Sequence, residues 1–164
     1  MKVTLGQYLA SIRNDRKMSL RQVEEAADKE VSNAYLSQLE TAFYKVTNDS
    51  LKLALGNDLA YYWHTRNLDK ALAFGNQVYA LANSINNQLW LARIQVTLGA
   101  ILLRQEKLDT AFLVLEQAHT VLPQKEWPHL LTQQGYVMER KGLLGKAVDY
   151  ALEALKLGDS LKNL

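Results

Sequence analysis

Arg66-Asn-Leu-Asp-Lys-Ala71, Glu106-Lys-Leu-Asp-Thr-Ala111 and Lys141-Gly-Leu-Leu-Gly-Lys-Ala147 are three versions of one short pattern, and their spacing decides the fold. The alanines fall 40 and then 36 residues apart. A tandem of that period marks stacked helix pairs, because one amphipathic pair has an apolar face that it cannot bury alone. Working outward from the three copies, apolar residues recur at spacings of three and four, with no sustained alternation of two. The chain is therefore expected to be all-α. The periodicity predicts helices over 51–65 and 68–84, 88–104 and 108–121, and 126–141 and 144–158. Gly75 falls inside the second of these, where it costs about 1 kcal/mol relative to alanine.

The middle unit carries the pattern most fully, with Leu98-Gly99, Leu102, Ala111, Leu115, Ala118 and Pro123. The third repeats it with Gly135, Met138, Gly142, Ala147, Ala151 and Ala154, and the first more loosely with Leu59, Tyr62, Ala71 and Val78. These residues resemble the tetratricopeptide (TPR) repeat. The resemblance covers about residues 51–160 and implies an α-solenoid of about three helix pairs, with small residues where paired helices approach. In such repeats the first helix of each pair lines a concave side that takes an extended peptide or a partner helix. Projecting the repeats onto that side gives Ala60 and Trp63 from the first pair, Arg93, Val96, Ala100 and Leu103 from the second, and His129, Thr132, Tyr136 and Glu139 from the third. Trp63, Arg93, Val96, Leu103, His129 and Tyr136 are the candidates for partner contact. A basic clamp for a terminal carboxylate is not evident, since Ala60, Ala100 and Tyr136 stand where its asparagines would be expected.

The N-terminal part follows a different pattern. Leu5, Leu9 and Ile12 mark the inner stripe of a first helix capped by Thr4. Ser19 caps a second ahead of Leu20 and Val23, with Gln22 completing a capping box. Ser32 caps a third, with Tyr35, Leu36 and Leu39 supplying its inward side chains. At Leu5-Gly6, Leu9, Ile12-Arg13, Ser19-Leu20-Arg21 and Val31-Ser-Asn-Ala-Tyr-Leu-Ser-Gln-Leu-Glu40 the chain resembles phage-repressor-type (XRE family) helix-turn-helix domains, over about residues 3–41. The resemblance implies base-edge contacts from Asn33, Ala34 and Gln38, with Ser37 close by, and phosphate contacts from Ser32, Tyr35, Arg21 and Gln22. Physical chemistry points the same way. Asn and Gln amides can form paired hydrogen bonds to adenine in the major groove, and the helix N-termini at Ser19 and Ser32 attract phosphate through unpaired N–H groups. Residues 1–21 hold Lys2, Arg13, Arg16, Lys17 and Arg21 against Asp15 alone, a basic edge suited to phosphate, with Arg13 as a backbone contact.

Bulk composition bounds the alternatives. With 164 residues, 48% of them apolar and 22% charged, the chain has ordinary globular composition, enough for one domain or two small ones. A net charge of +2 decides nothing about nucleic acid. The absence of cysteine excludes disulfides, thiolate metal sites and thiol catalysis. Neither a secretion signal nor a run of about 20 apolar residues is evident, so a cytoplasmic protein without a membrane span is expected. His64, His119 and His129 lack metal-ligand spacing, and there is no Gly-rich phosphate loop or His-Glu-x-x-His motif, so no enzyme and no cofactor are expected.

The reading is a helix-turn-helix unit over 1–46 followed by a TPR unit over 47–164, in a sequence-specific DNA-binding regulator. The expected partners are double-stranded DNA, a second copy in a homodimer, and a peptide or protein in the groove. The order of the parts is similar to that of peptide-responsive bacterial regulators. The alternative is a TPR protein-interaction adaptor whose N-terminal helices are a structural cap or a degenerate or engineered fusion.

Overall fold

A computed structural model of the chain describes residue 34 and residues 36–162. The chain divides into two compact units, Met1–Tyr44 and Lys45–Leu164. In the first, residues 36–44 are helical, the helix ending at residue 45. Leu36 and Phe43, seven residues apart and so on one side of that helix, are buried at 2% and 1% exposure. Thr41 Oγ1 donates to the Ser37 carbonyl at 2.9 Å, and the Phe43 and Tyr44 rings meet edge to face at 5.3 Å.

The second unit is a succession of helix pairs, and the described residues contain no strand. Its elements are α1 (Asp49–Trp63), α2 (Leu68–Ser84), α3 (Gln88–Arg104), α4 (Leu108–His119), a 3-10 turn (Gln124–Glu126), α5 (Trp127–Arg140) and α6 (Leu144–Lys162). Each helix packs most heavily on its hairpin partner, α1 on α2, α3 on α4 and α5 on α6. The pairs then stack, α3 against α1 and α2, and α5 against α3 and α4.

Local chemistry explains where the helices begin and end. Asn48, Asn67 and Asn87 cap α1, α2 and α3, their side chains accepting from Leu51 N (2.9 Å), Lys70 N (3.0 Å) and Trp90 N (3.1 Å). α2, α3 and α5 end in left-handed residues, Asn86 (φ 53°), Glu106 (φ 57°) and Gly142 (φ 75°). At each, the next residue's N–H closes a Schellman turn, as Asn87 N does on Ala82 O at 2.9 Å and Leu143 N on Met138 O at 2.9 Å. α6 runs to Lys162, past the end expected at 158, because Gly158 sits within a continuing helix.

The core is the stacking surface. Ala92, Val96, Leu103, Ala111, Leu115, Ala118, Leu122, Leu130 and Val137 form one cluster, with Leu102, Leu108, Phe112 and Trp127 packed on it. Small residues set the closest approaches. A Cβ on Gly99 would stand 2.7 Å from Leu115 Cγ and Cδ2, and one on Gly75 would stand 3.0 Å from Leu98 Cδ2. Gly75 thus has a packing role inside α2: it admits α3.

Candidate functional site

α1, α3 and α5, the first helices of the three pairs, share one face with two neighbouring clefts. The first, of about 550 Å³, runs between Asn57, Asp58, Tyr61 and Tyr62 of α1, Trp90, Arg93, Val96 and Thr97 of α3, and Leu122, Lys125, Glu126, Pro128 and His129 at the start of α5. The second, of about 560 Å³, is lined by Tyr61, His64, Thr65, Ala100, Leu103, Arg104, Gln133, Tyr136, Glu139 and Arg140. Tyr61 borders both.

Arg93 is the structural centre of the first cleft. Its Nε donates to Glu126 Oε2 at 2.9 Å and its Nη2 to Glu126 Oε1 at 2.7 Å, a bidentate pair in which both side chains are about three-quarters buried. Its guanidinium also lies 4.8 Å from the centre of the Trp90 ring. The hydrogen bonding to Glu126 raises the Arg93 pKa, outweighing burial, so Arg93 stays charged and clamps the turn before α5 onto α3. This arginine serves the fold first: its fork is already filled. Beside it, buried Thr97 donates through Oγ1 to Asn57 Oδ1 at 2.8 Å and ties α3 to α1. Burial pushes the Asp58 carboxyl above its ordinary range.

The two clefts meet at an aromatic and imidazole cluster. The Tyr61 ring lies 4.6 Å from the His64 ring and 5.3 Å from that of His129, edge to face with the latter. His64 Nδ1 is hydrogen-bonded to the Tyr61 carbonyl. Burial holds the His64 imidazole below its ordinary pKa of 6.5, an effect the Tyr61 carbonyl opposes and Arg104 reinforces. Burial likewise lowers His129, with His64 adding to it. Both imidazoles are neutral at physiological pH, so they present apolar rings and single donors rather than cations.

Besides Arg140, the polar residues lining the second cleft are Tyr61, His64, Thr65, Arg104, Gln133, Tyr136 and Glu139. Gln133 is only 5% exposed, lines the cleft and forms no side-chain hydrogen bond to a described residue. Arg104 forms no ion pair with one. Arg140, by contrast, is paired to Glu106 at 3.0 Å.

Five of the six partner-contact candidates lie on this face: Arg93, Val96 and His129 in the first cleft, Leu103 and Tyr136 in the second. Trp63, the sixth, is not among the residues lining either cleft, and Lys70 Nζ of α2 lies 4.2 Å from the centre of its ring. Ala60 is fully buried, near Gly75 of α2. Asn57, Tyr61, Thr97, Arg104 and Gln133 escaped the projection. Tyr61, Thr97, Arg104 and Gln133 each follow a projected residue by one position, which is the offset expected when helical side chains lean toward the N-terminus. Glu126, which lies in the turn rather than on a helix, carried no periodic signal.

Of the DNA-contact candidates, Ala34, Ser37 and Gln38 are described, all three exposed on a helix. Arg13, Ser19, Arg21, Gln22, Ser32, Asn33 and Tyr35 lie outside the described residues. Among the described residues no group of three His, Asp or Glu side chains could hold a metal ion, and no helix is long and apolar enough to cross a membrane. In comparisons with known proteins, the chain matches no family model, no curated protein and no solved structure.

Proposed function

We propose that the chain is a sequence-specific DNA-binding regulator, acting in the cytoplasm, in which a phage-repressor-type helix-turn-helix unit is joined to three TPR-like helix pairs that receive an effector. The observation that carries this reading is the helix over 36–45. Leu36 and Phe43 anchor one side of it, while Ser37 and Gln38 stand exposed on the other. A Gln amide presented from a helix pairs with the N6 and N7 edge of adenine, at about 1 to 3 kcal/mol of discrimination. One short helix makes few base contacts, so two copies on half-sites about 34 Å apart are needed for useful affinity. The face shared by α1, α3 and α5 then serves the effector, an extended polypeptide whose amides meet Gln133 and whose side chains lie among Tyr61, His129 and Tyr136. Selection from random duplexes tests the DNA role. The wild type should enrich one site, Gln38→Ala should relax the preference at one base pair, and Arg13→Ala should weaken all sequences alike. No enrichment by the wild type removes the regulator.

The unpaired Arg104 and Gln133 favour a second reading, a polypeptide-binding adaptor with no nucleic-acid role. In that case Arg104→Ala and Gln133→Ala abolish capture from a peptide array, and random duplexes return no site.

A further inference from the structure

The third pair ends differently from the first two. α2 and α4 each have the next helix laid against them, and Phe74 and Val78 on α2 and Leu115 and Ala118 on α4 are buried. Trp127 of α5, for example, meets His119 of α4 at 4.5 Å between ring centres. Leu144, Val148, Leu152 and Leu155 are 64%, 56%, 59% and 64% exposed, and Ala154 is the one buried residue of the helix.

Those four side chains are not scattered. Their spacing, four, four and three, gathers them into one stripe along the helix, beside a groove of about 370 Å³ floored by Gly135, Ala147, Ala151 and Gly158. Scattered exposed leucines need no explanation, but a continuous stripe of this length marks an interaction surface.

We propose that this stripe is the seam of a homodimer, α6 of one copy lying antiparallel to α6 of a second. The charges beside the stripe select that occupant. Asp149 and Lys156 are exposed, seven residues apart and therefore on the same flank. About a two-fold axis near Leu152, antiparallel pairing sets Asp149 of each copy against Lys156 of the other, two reciprocal ion pairs. Val148 then packs on Leu155 of the second copy, and Leu152 on Leu152. A parallel pairing would carry the two Asp149–Lys156 flanks to opposite sides of the seam, where they could not meet. The same self-complementarity is what a closed two-fold interface requires. The seam stands independently of the DNA role, since the repeat unit alone supplies every group in it. A single helix seam lies at the small end of stable interfaces, so the dimer is concentration-dependent, with a dissociation constant in the micromolar range.

Sedimentation equilibrium of the full chain over a range of concentrations tests the seam. The wild type should convert from monomer to dimer. Leu152→Glu, at a position exposed within one copy, should retain the helical circular dichroism and weaken dimerisation on the order of a hundredfold, since two leucines leave the seam and two carboxylates meet there. Leu113→Glu, at an α4 position of 58% exposure, should dimerise like the wild type. Asp149→Lys alone should weaken the dimer, and Asp149→Lys with Lys156→Asp should restore it. A wild type that is monomeric throughout, a dimer indifferent to Leu152→Glu, or a charge swap that fails to rescue overturns the proposal.

Discussion

At Gly99 a single hydrogen atom sets the distance between α3 and α4. A methyl group there would sit 2.7 Å from two carbons of Leu115, which is fully buried and has no room to retreat. Gly99→Ala is expected to destabilise the protein by about 1 to 3 kcal/mol, read from urea unfolding. Gly158→Ala, where a Cβ meets nothing within 4 Å, should stabilise it by up to about 1 kcal/mol. A residue-scale effect of opposite sign comes from Glu106, a non-glycine held at φ 57°. Left-handed backbone costs about 1 to 2 kcal/mol for such a residue. Its exposed pair with Arg140 returns at most about 1 kcal/mol, and glycine brings extra unfolded-state entropy. Glu106→Gly should therefore raise stability by less than about 1 kcal/mol, and Asn86→Gly by less still, because asparagine tolerates that region. Thermal melts of the two variants rank them.

The helices themselves were legible from periodicity alone. An apolar stripe at spacings of three and four places α1 to α5 within a few residues of their ends, because burial of that stripe is what forms them. Their caps were not legible. Asn48, Asn67 and Asn87 are unremarkable polar residues in polar turns until the Leu51, Lys70 and Trp90 amides are seen to point at them. α4 begins at Leu108 after Lys107, with no side-chain cap. Asn87→Ala should cost about 1 kcal/mol, whereas Lys107→Asp should add several tenths or more; amide exchange in the first turns of α3 and α4 reports each directly. The cleft-lining residues of α1, α3 and α5 were legible to within one position. The projection along α1, α3 and α5 found Arg93, Val96, Leu103, His129 and Tyr136, and missed the neighbours that turn further into the clefts. It could not foresee that Arg93 is already engaged by Glu126, since that partner is 33 positions away in a turn.

For the whole molecule, stability should depend on pH through His64 and His129. Both have folded-state pKa values below the ordinary 6.5. In the window below 6.5 and above the lowered folded values, the unfolded chain binds more protons than the folded one, so unfolding becomes easier as pH falls. The contribution is complete above about pH 7 and is lost on acidification. His129→Gln should flatten the decline in melting temperature between about pH 7.5 and about pH 5.5.

The central claim concerns the same molecule on DNA, and the salt dependence of its affinity for a selected duplex and a scrambled one tests it most directly. A regulator reading bases from Gln38 should bind the selected duplex on the order of a thousandfold more tightly. Its affinity for both should fall steeply and linearly in logarithm as salt rises. Equal, weak binding to both duplexes at every salt concentration would contradict the account.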